Sequence, residues 1–111
     1  MVARARKSYL DDTSYLTADF IARVKEELER TGFVTDEHKF APYRETMVEH
    51  RDLIAERLEQ AGFRGSVGTG FLNGHPQAGY AYYIYDEGRF HSQDALDRAV
   101  RAWLDMRYGV R

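Results

Sequence analysis

The residues able to do chemistry are few and scattered. Four histidines, His38, His50, His75 and His91, are the candidate metal ligands and proton carriers. No two of them stand at the i,i+4 spacing that places both rings on one helical face. There is no His-Glu-x-x-His run, and the chain has no cysteine. A zinc site would need ligands gathered from distant segments, such as His75 and His91 with Asp86 or Glu87. Histidines beside turns are expected at the surface, so no metal is expected.

Acid–base chemistry has one candidate cluster: Asp86, Glu87, Arg89 and His91, beside Tyr85. It would serve a small enzyme or ligand-binding domain if burial drove the carboxyl groups apart in pKa. Neighbouring residues at a strand end point to opposite sides, which places Asp86 and Glu87 poorly for sharing a proton. The expectation is a solvated turn in which Arg89 pairs with Asp86. Residues 65–74 read GSVGTGFLNG. A nucleotide loop would continue into Gly-Lys-Ser/Thr and a helix, and this one does not, so no cofactor is expected. Gly68 and Gly70 instead share one strand face, which lets a backbone or helix come close.

The segment that stands out is the tyrosine-rich strand at 80–85. Tyr80, Tyr82 and Ile84 lie on one face, and Ala81, Tyr83 and Tyr85 on the other. A strand with one wet face alternates apolar with polar; this one is apolar on both. The reading that follows is a small non-catalytic interaction or assembly protein. Its surface would be Tyr80, Tyr82, Tyr83 and Tyr85, rimmed by Asp86, Glu87 and Arg89. The occupant would be a protein partner or a second copy of the chain. The competing fate is that an amino-terminal arm, residues 1–17, folds over the second face with its pairs Tyr9-Leu10 and Tyr15-Leu16. Nucleic-acid binding is an alternative, with tyrosines stacking bases and Arg98, Arg101 and Arg107 meeting phosphates. It is disfavoured by the net charge of −2 and by Asp94, Asp97 and Asp105 on the same helix.

The elements that must position these residues follow from periodicity. A first helix is expected over 18–31, capped by Thr17 and stopped at Gly32. A second is expected over 42–61, stopped at Gly62. Leu28 with Phe33, and Leu58 with Phe63, fall where a Schellman cap places its apolar contact. Thr35 is a candidate start for a short extra turn. Strands are expected over 65–72 and 80–85, with a short third strand over 89–91. A last helix is expected over 93–108, capped by Ser92 and stopped at Gly109. Two amino-terminal helices, an antiparallel hairpin and a carboxy-terminal helix packed on it make an α+β domain over 18–111.

Composition bounds the rest. With 111 residues, 43% hydrophobic and 14% aromatic, the chain is expected to form one domain with a real core. No window approaches the roughly 20 apolar residues of a membrane span, and the basic start at Arg4, Arg6 and Lys7 runs into Asp11 and Asp12 instead of an apolar stretch. A cytoplasmic protein without a membrane partner is expected. Arginine outnumbers lysine 13 to 3, the codon bias of a GC-rich genome, and a phage or mobile-element accessory role suits the size.

Overall fold

The computed structural model describes residues 13–35 and 43–109. Helix α1 spans Ala18–Arg30, strand β1 Phe33–Thr35, helix α2 Arg44–Glu49 and helix α3 Arg51–Gln60. Strand β2 spans Val67–His75, strand β3 Gly79–Asp86 and helix α4 Gln93–Tyr108. The fold class is α+β, as the sequence predicts. The helix starts are set by hydroxyls: Thr17 Oγ1 accepts from the Phe20 N–H at 3.1 Å, and Ser92 Oγ from the Ala95 N–H at 3.1 Å. Each fills one of the backbone donors that a helix start leaves open. Gly109, at φ +70°, ends α4 in the left-handed region.

The three strands are antiparallel in the order β1-β3-β2, so the tyrosine strand is central. Helices cover the sheet from both sides. On one side Phe20, Val24, Leu28, Met47, Ile54 and Leu58 close over Val34, Val67 and Ile84. On the other, Leu96, Val100 and Leu104 of α4 close over Phe33, Leu72, Ala81 and Tyr83. The covers differ. α4 packs on Leu72 and Ala81 toward the hairpin tip, whereas the buried cluster of α1–α3 takes in Val34, Val67 and Ile84. Among the described residues Phe71 and Tyr80 stay exposed outside that cluster.

Several expectations are corrected. The second helix is broken at His50, whose φ of −102° and ψ of 23° close α2 and open α3. The break lies where the Tyr15 hydroxyl donates to the Thr46 carbonyl at 3.1 Å and meets His50 Nδ1 at 2.8 Å. The Thr46 carbonyl also keeps its ladder bond from the His50 N–H at 2.8 Å. Tyr15 and Leu16 join the cluster that holds Val34, Val67 and Ile84 of the sheet; Tyr9-Leu10 lies outside the described residues. The third strand is Phe33–Thr35, not 89–91. Gly32, at φ +92°, turns the chain from α1 directly beside β3, and its carbonyl accepts from the Asp86 N–H at 2.9 Å. That also changes the cap of α1. One bond from Gly32 N–H to the Leu28 carbonyl closes it, and Phe33 leaves for the α4 side of the sheet. The cap of α3 is a Schellman motif, with Phe63 N–H on the Leu58 carbonyl at 2.9 Å and Gly62 N–H on Glu59 at 3.0 Å. The first hairpin strand runs over Val67–His75 rather than 65–72.

His75 is not a surface residue; it is 2% exposed. Its Nδ1 accepts from the Gln77 and Ala78 N–H groups, both at 3.0 Å. A ring nitrogen that accepts is unprotonated, so Nε2 carries the hydrogen and donates to Asp105 Oδ1 at 3.0 Å. One imidazole thus shapes the hairpin turn and ties it to α4. His75→Ala removes the acceptor of two turn amides and the partner of Asp105. It should cost about 2 kcal/mol in urea denaturation and speed hydrogen exchange at Gln77 and Ala78. An unchanged denaturation midpoint would show that the tie is not stabilising.

Candidate functional site

β3 sorts its tyrosines onto two unlike faces. Tyr83 and Tyr85 stand opposite Gly70 and Gly68 of β2, and their rings lie across those glycines. A β-carbon at Gly70 would meet the Tyr83 hydroxyl oxygen at 3.0 Å and its ring at 3.1 Å, and one at Gly68 the Tyr85 ring at 2.8 Å. The close approach expected of these glycines is thus made by tyrosine rings and not by a helix backbone. Tyr83 is 1% exposed. Its hydroxyl donates to Asp97 Oδ1 at 2.9 Å, while Gln93 Nε2 donates to that hydroxyl at 2.8 Å and to Asp97 at 2.9 Å. Burial first, and then the Asp97 carboxylate, hold the Tyr83 phenol well above its ordinary pKa. Tyr85 is half-buried beside it, with ring centroids 5.9 Å apart.

The opposite face carries Tyr80 and Tyr82, and with them Phe71. Tyr82 is directly opposite Phe71 in the register, and Tyr80 opposite Asn73. The Tyr82 ring sits 6.0 Å from Phe71 and 5.4 Å from Tyr80, edge to face with the latter. Phe71 is 58% exposed and Tyr80 49%. Thr69 and Asn73, both exposed, flank Phe71 along the same face of β2. Phe71 is a site residue that the tyrosine count overlooks. Its signal is the alternation Val67, Thr69, Phe71, which puts it on the face of Tyr82 once the register is known.

The expected polar rim lies elsewhere. Asp86 and Glu87 are about 20 Å along β3 from Tyr80, at about 3.4 Å per residue. Asp86 Oδ1 accepts from the Gly88 N–H at 3.1 Å and lies against Gly65, whereas Glu87 Oε2 lies against Gly68. The adjacent carboxylates diverge. Arg89 does not pair its guanidinium with the Asp86 carboxylate, although its backbone N–H donates to the Asp86 carbonyl at 3.0 Å. Its Nη1 donates to the Leu28 and Glu29 carbonyls of α1 at 3.2 and 2.9 Å, a cation closing the negative end of a helix. Exposed His91 and Glu87 share a hollow of about 180 Å³ with Tyr85, Phe90, Ser92, Gln93 and Leu96, which Asp86 does not line.

The basic residues of α4 are dispersed. Arg98 pairs with Asp94 at 3.2 Å. Arg107 lies over the Tyr108 ring at 5.9 Å. Arg98 and Arg107 are about two and a half turns apart and face opposite ways, so no single basic stripe joins them with Arg101. Among the described residues no group of three His, Cys, Asp or Glu is placed to hold a metal ion, and no helix is long and apolar enough to cross a membrane. Searches against protein-family models, curated proteins and solved structures give no match.

The raised phenol pKa gives a signed pH dependence. Because Tyr83 binds its proton more tightly when folded, the stability this contributes is fully present below the ordinary phenol value of about 10. It is lost as pH rises from there toward the folded-state value. Tyr83→Phe should cost about 1–2 kcal/mol at neutral pH, through the Asp97 hydrogen bond, and should flatten the alkaline fall. Urea denaturation at neutral pH and above pH 10 measures both effects; an equally steep alkaline fall in Tyr83→Phe would refute the assignment.

Proposed function

We propose that this chain is an interaction or assembly protein that binds a protein surface through its hairpin. Phe71, Tyr80 and Tyr82 would be the anchors, and Thr69 and Asn73 part of the polar margin. The observation that carries this reading is the contiguous triad of rings, two of them about half exposed, outside the buried cluster of α1–α3. Contiguous exposed aromatics are where association free energy concentrates, because each ring buries a large area at little rotamer cost. The support beneath is rigid. Tyr83, Gln93 and Asp97 fix β3 on α4, and His75 fixes the turn. Of the tyrosines read from the sequence, Tyr80 and Tyr82 would make the contact. Tyr83 and Tyr85 would hold the frame, and Asp86, Glu87 and Arg89 would have no part in the surface.

The test replaces Tyr80 with a photo-crosslinking phenylalanine derivative, with exposed Glu59 at the far side of the fold as the control position. In cells that encode the protein, position 80 should give protein adducts that position 59 does not. Phe71→Ser should reduce them at least tenfold, equivalent to about 1.4 kcal/mol of association, while changing stability by less than about 1 kcal/mol. Identical adducts from both positions would remove the proposal.

A further inference from the structure

We infer that a second copy of this chain pairs with the outer edge of β2, antiparallel and about a two-fold axis through Phe71. The inference deepens the interaction reading above and rests on it. The backbone alternation identifies the available groups. The Glu87 N–H donates inward to the Ser66 carbonyl at 2.8 Å, and the Val67 carbonyl points outward, where it accepts from Arg51 Nη1 at 3.2 Å. In an antiparallel ladder the direction reverses at each residue. Gly68, Gly70 and Leu72 therefore bond to β3, and Thr69, Phe71 and Asn73 direct both N–H and C=O away from it. No backbone hydrogen bond from another described segment reaches these three residues.

Three observations favour a second copy as the occupant. The outward residues are symmetric about Phe71: a two-fold there sets Phe71 against itself and Thr69 against Asn73 of the other copy, so every outward donor meets an acceptor. β2, VGTGFLNGH, contains no charged residue and no proline. Self-pairing sets like against like, and any charge near the axis would meet its own sign; a charged partner strand would in turn find nothing to pair with. Edge strands are ordinarily guarded by lysine, proline or shortness, yet this one runs for nine residues. Finally, a two-fold normal to the sheet keeps corresponding faces together. Both Phe71–Tyr80–Tyr82 triads would lie side by side on one face of a continuous sheet, joining the edge to the proposed aromatic surface.

The test is solution mass by sedimentation and light scattering across a concentration series of the full chain, with hydrogen exchange at the same concentrations. The mass should rise from 12.9 kDa toward twice that value, and the amides of Thr69, Phe71 and Asn73 should gain protection with concentration. Thr69→Pro removes an outward N–H and no bond to β3. It should raise the dimer dissociation constant at least tenfold. If that variant unfolds, concentration-dependent protection of the three wild-type amides decides alone. A wild-type chain that stays monomeric overturns the inference, while crosslinks from position 80 to a different protein would leave the interaction reading standing. A dimer that survives Thr69→Pro but is lost in Phe71→Ser also overturns it, since that contact would be face to face. A dimer sensitive to Thr69→Pro and indifferent to Phe71→Ser with Tyr80→Ser upholds edge pairing and removes the aromatic face as its source of affinity.

Discussion

The packing of two tyrosine rings across two glycines decides which side of the sheet becomes core. Tyr83 and Tyr85 lie flat only because Gly70 and Gly68 present no side chain beneath them. Glycine in a strand interior costs up to about 1 kcal/mol relative to alanine, and here ring burial offsets it. Once the rings are down, α4 has a smooth surface to close on, and Gln93 and Asp97 meet the one polar atom that Tyr83 carries inside. The side-chain period of two then leaves no freedom: if Tyr83 is inward toward α4, Tyr80 and Tyr82 must face the other way.

That other face is covered unevenly, for reasons of length. α4 has 16 residues and is about 24 Å long at 1.5 Å per residue, enough to follow most of the hairpin. On the opposite side α1, α2 and α3 are held together around Phe20, Leu28, Ile54 and Leu58, and their cluster ends on β3 at Ile84. β1 stops at Thr35, opposite Tyr83. Beyond that point the described part of the sheet has two strands. A bare two-stranded hairpin is marginal in water. This one is held from the α4 side by Leu72 and Ala81 in the core and by the bond from His75 to Asp105 at the tip.

Local chemistry made much of this fold legible in the sequence. Thr17, Ser92, Gly62 and Gly109 mark helix ends because a cap is a contact between near neighbours, and the buried stripe of α4 follows from its period. What escaped prediction depends on contacts between remote residues. The break at His50 is bonded by Tyr15, which arrives from another segment. The third strand at Phe33–Thr35 depends on β3 being there to pair with it, and three residues carry no period of their own. Arg89 reaches α1 across a long stretch of chain. The two apolar faces of β3 were readable from alternation, but not their unequal fates. Phe71 was invisible as a site residue because strand register, which sets it against Tyr82, is not encoded in either strand alone. His75 looked like an ordinary loop histidine, since nothing near it in the sequence announces Asp105.

The same register shows that the uncharged edge of β2 is not forced by the fold. Gly68 and Gly70 must stay small beneath the tyrosine rings, and Leu72 is buried under α4, so those positions have no room for a charge. Thr69, Phe71 and Asn73 are different. They face away from α4 and are exposed, and a lysine at any of them would guard the edge without entering the core. The sequence instead places a hydroxyl, an aromatic ring and an amide there. Phe71 lies at the centre of both features, its ring joining the aromatic triad and its amide pointing out of the sheet. An uncharged edge and an exposed ring cluster would each be a liability by itself. Sharing a residue, they would be shielded by one event in the proposed pairing, in which a second sheet edge arrives with its own three rings on the same side.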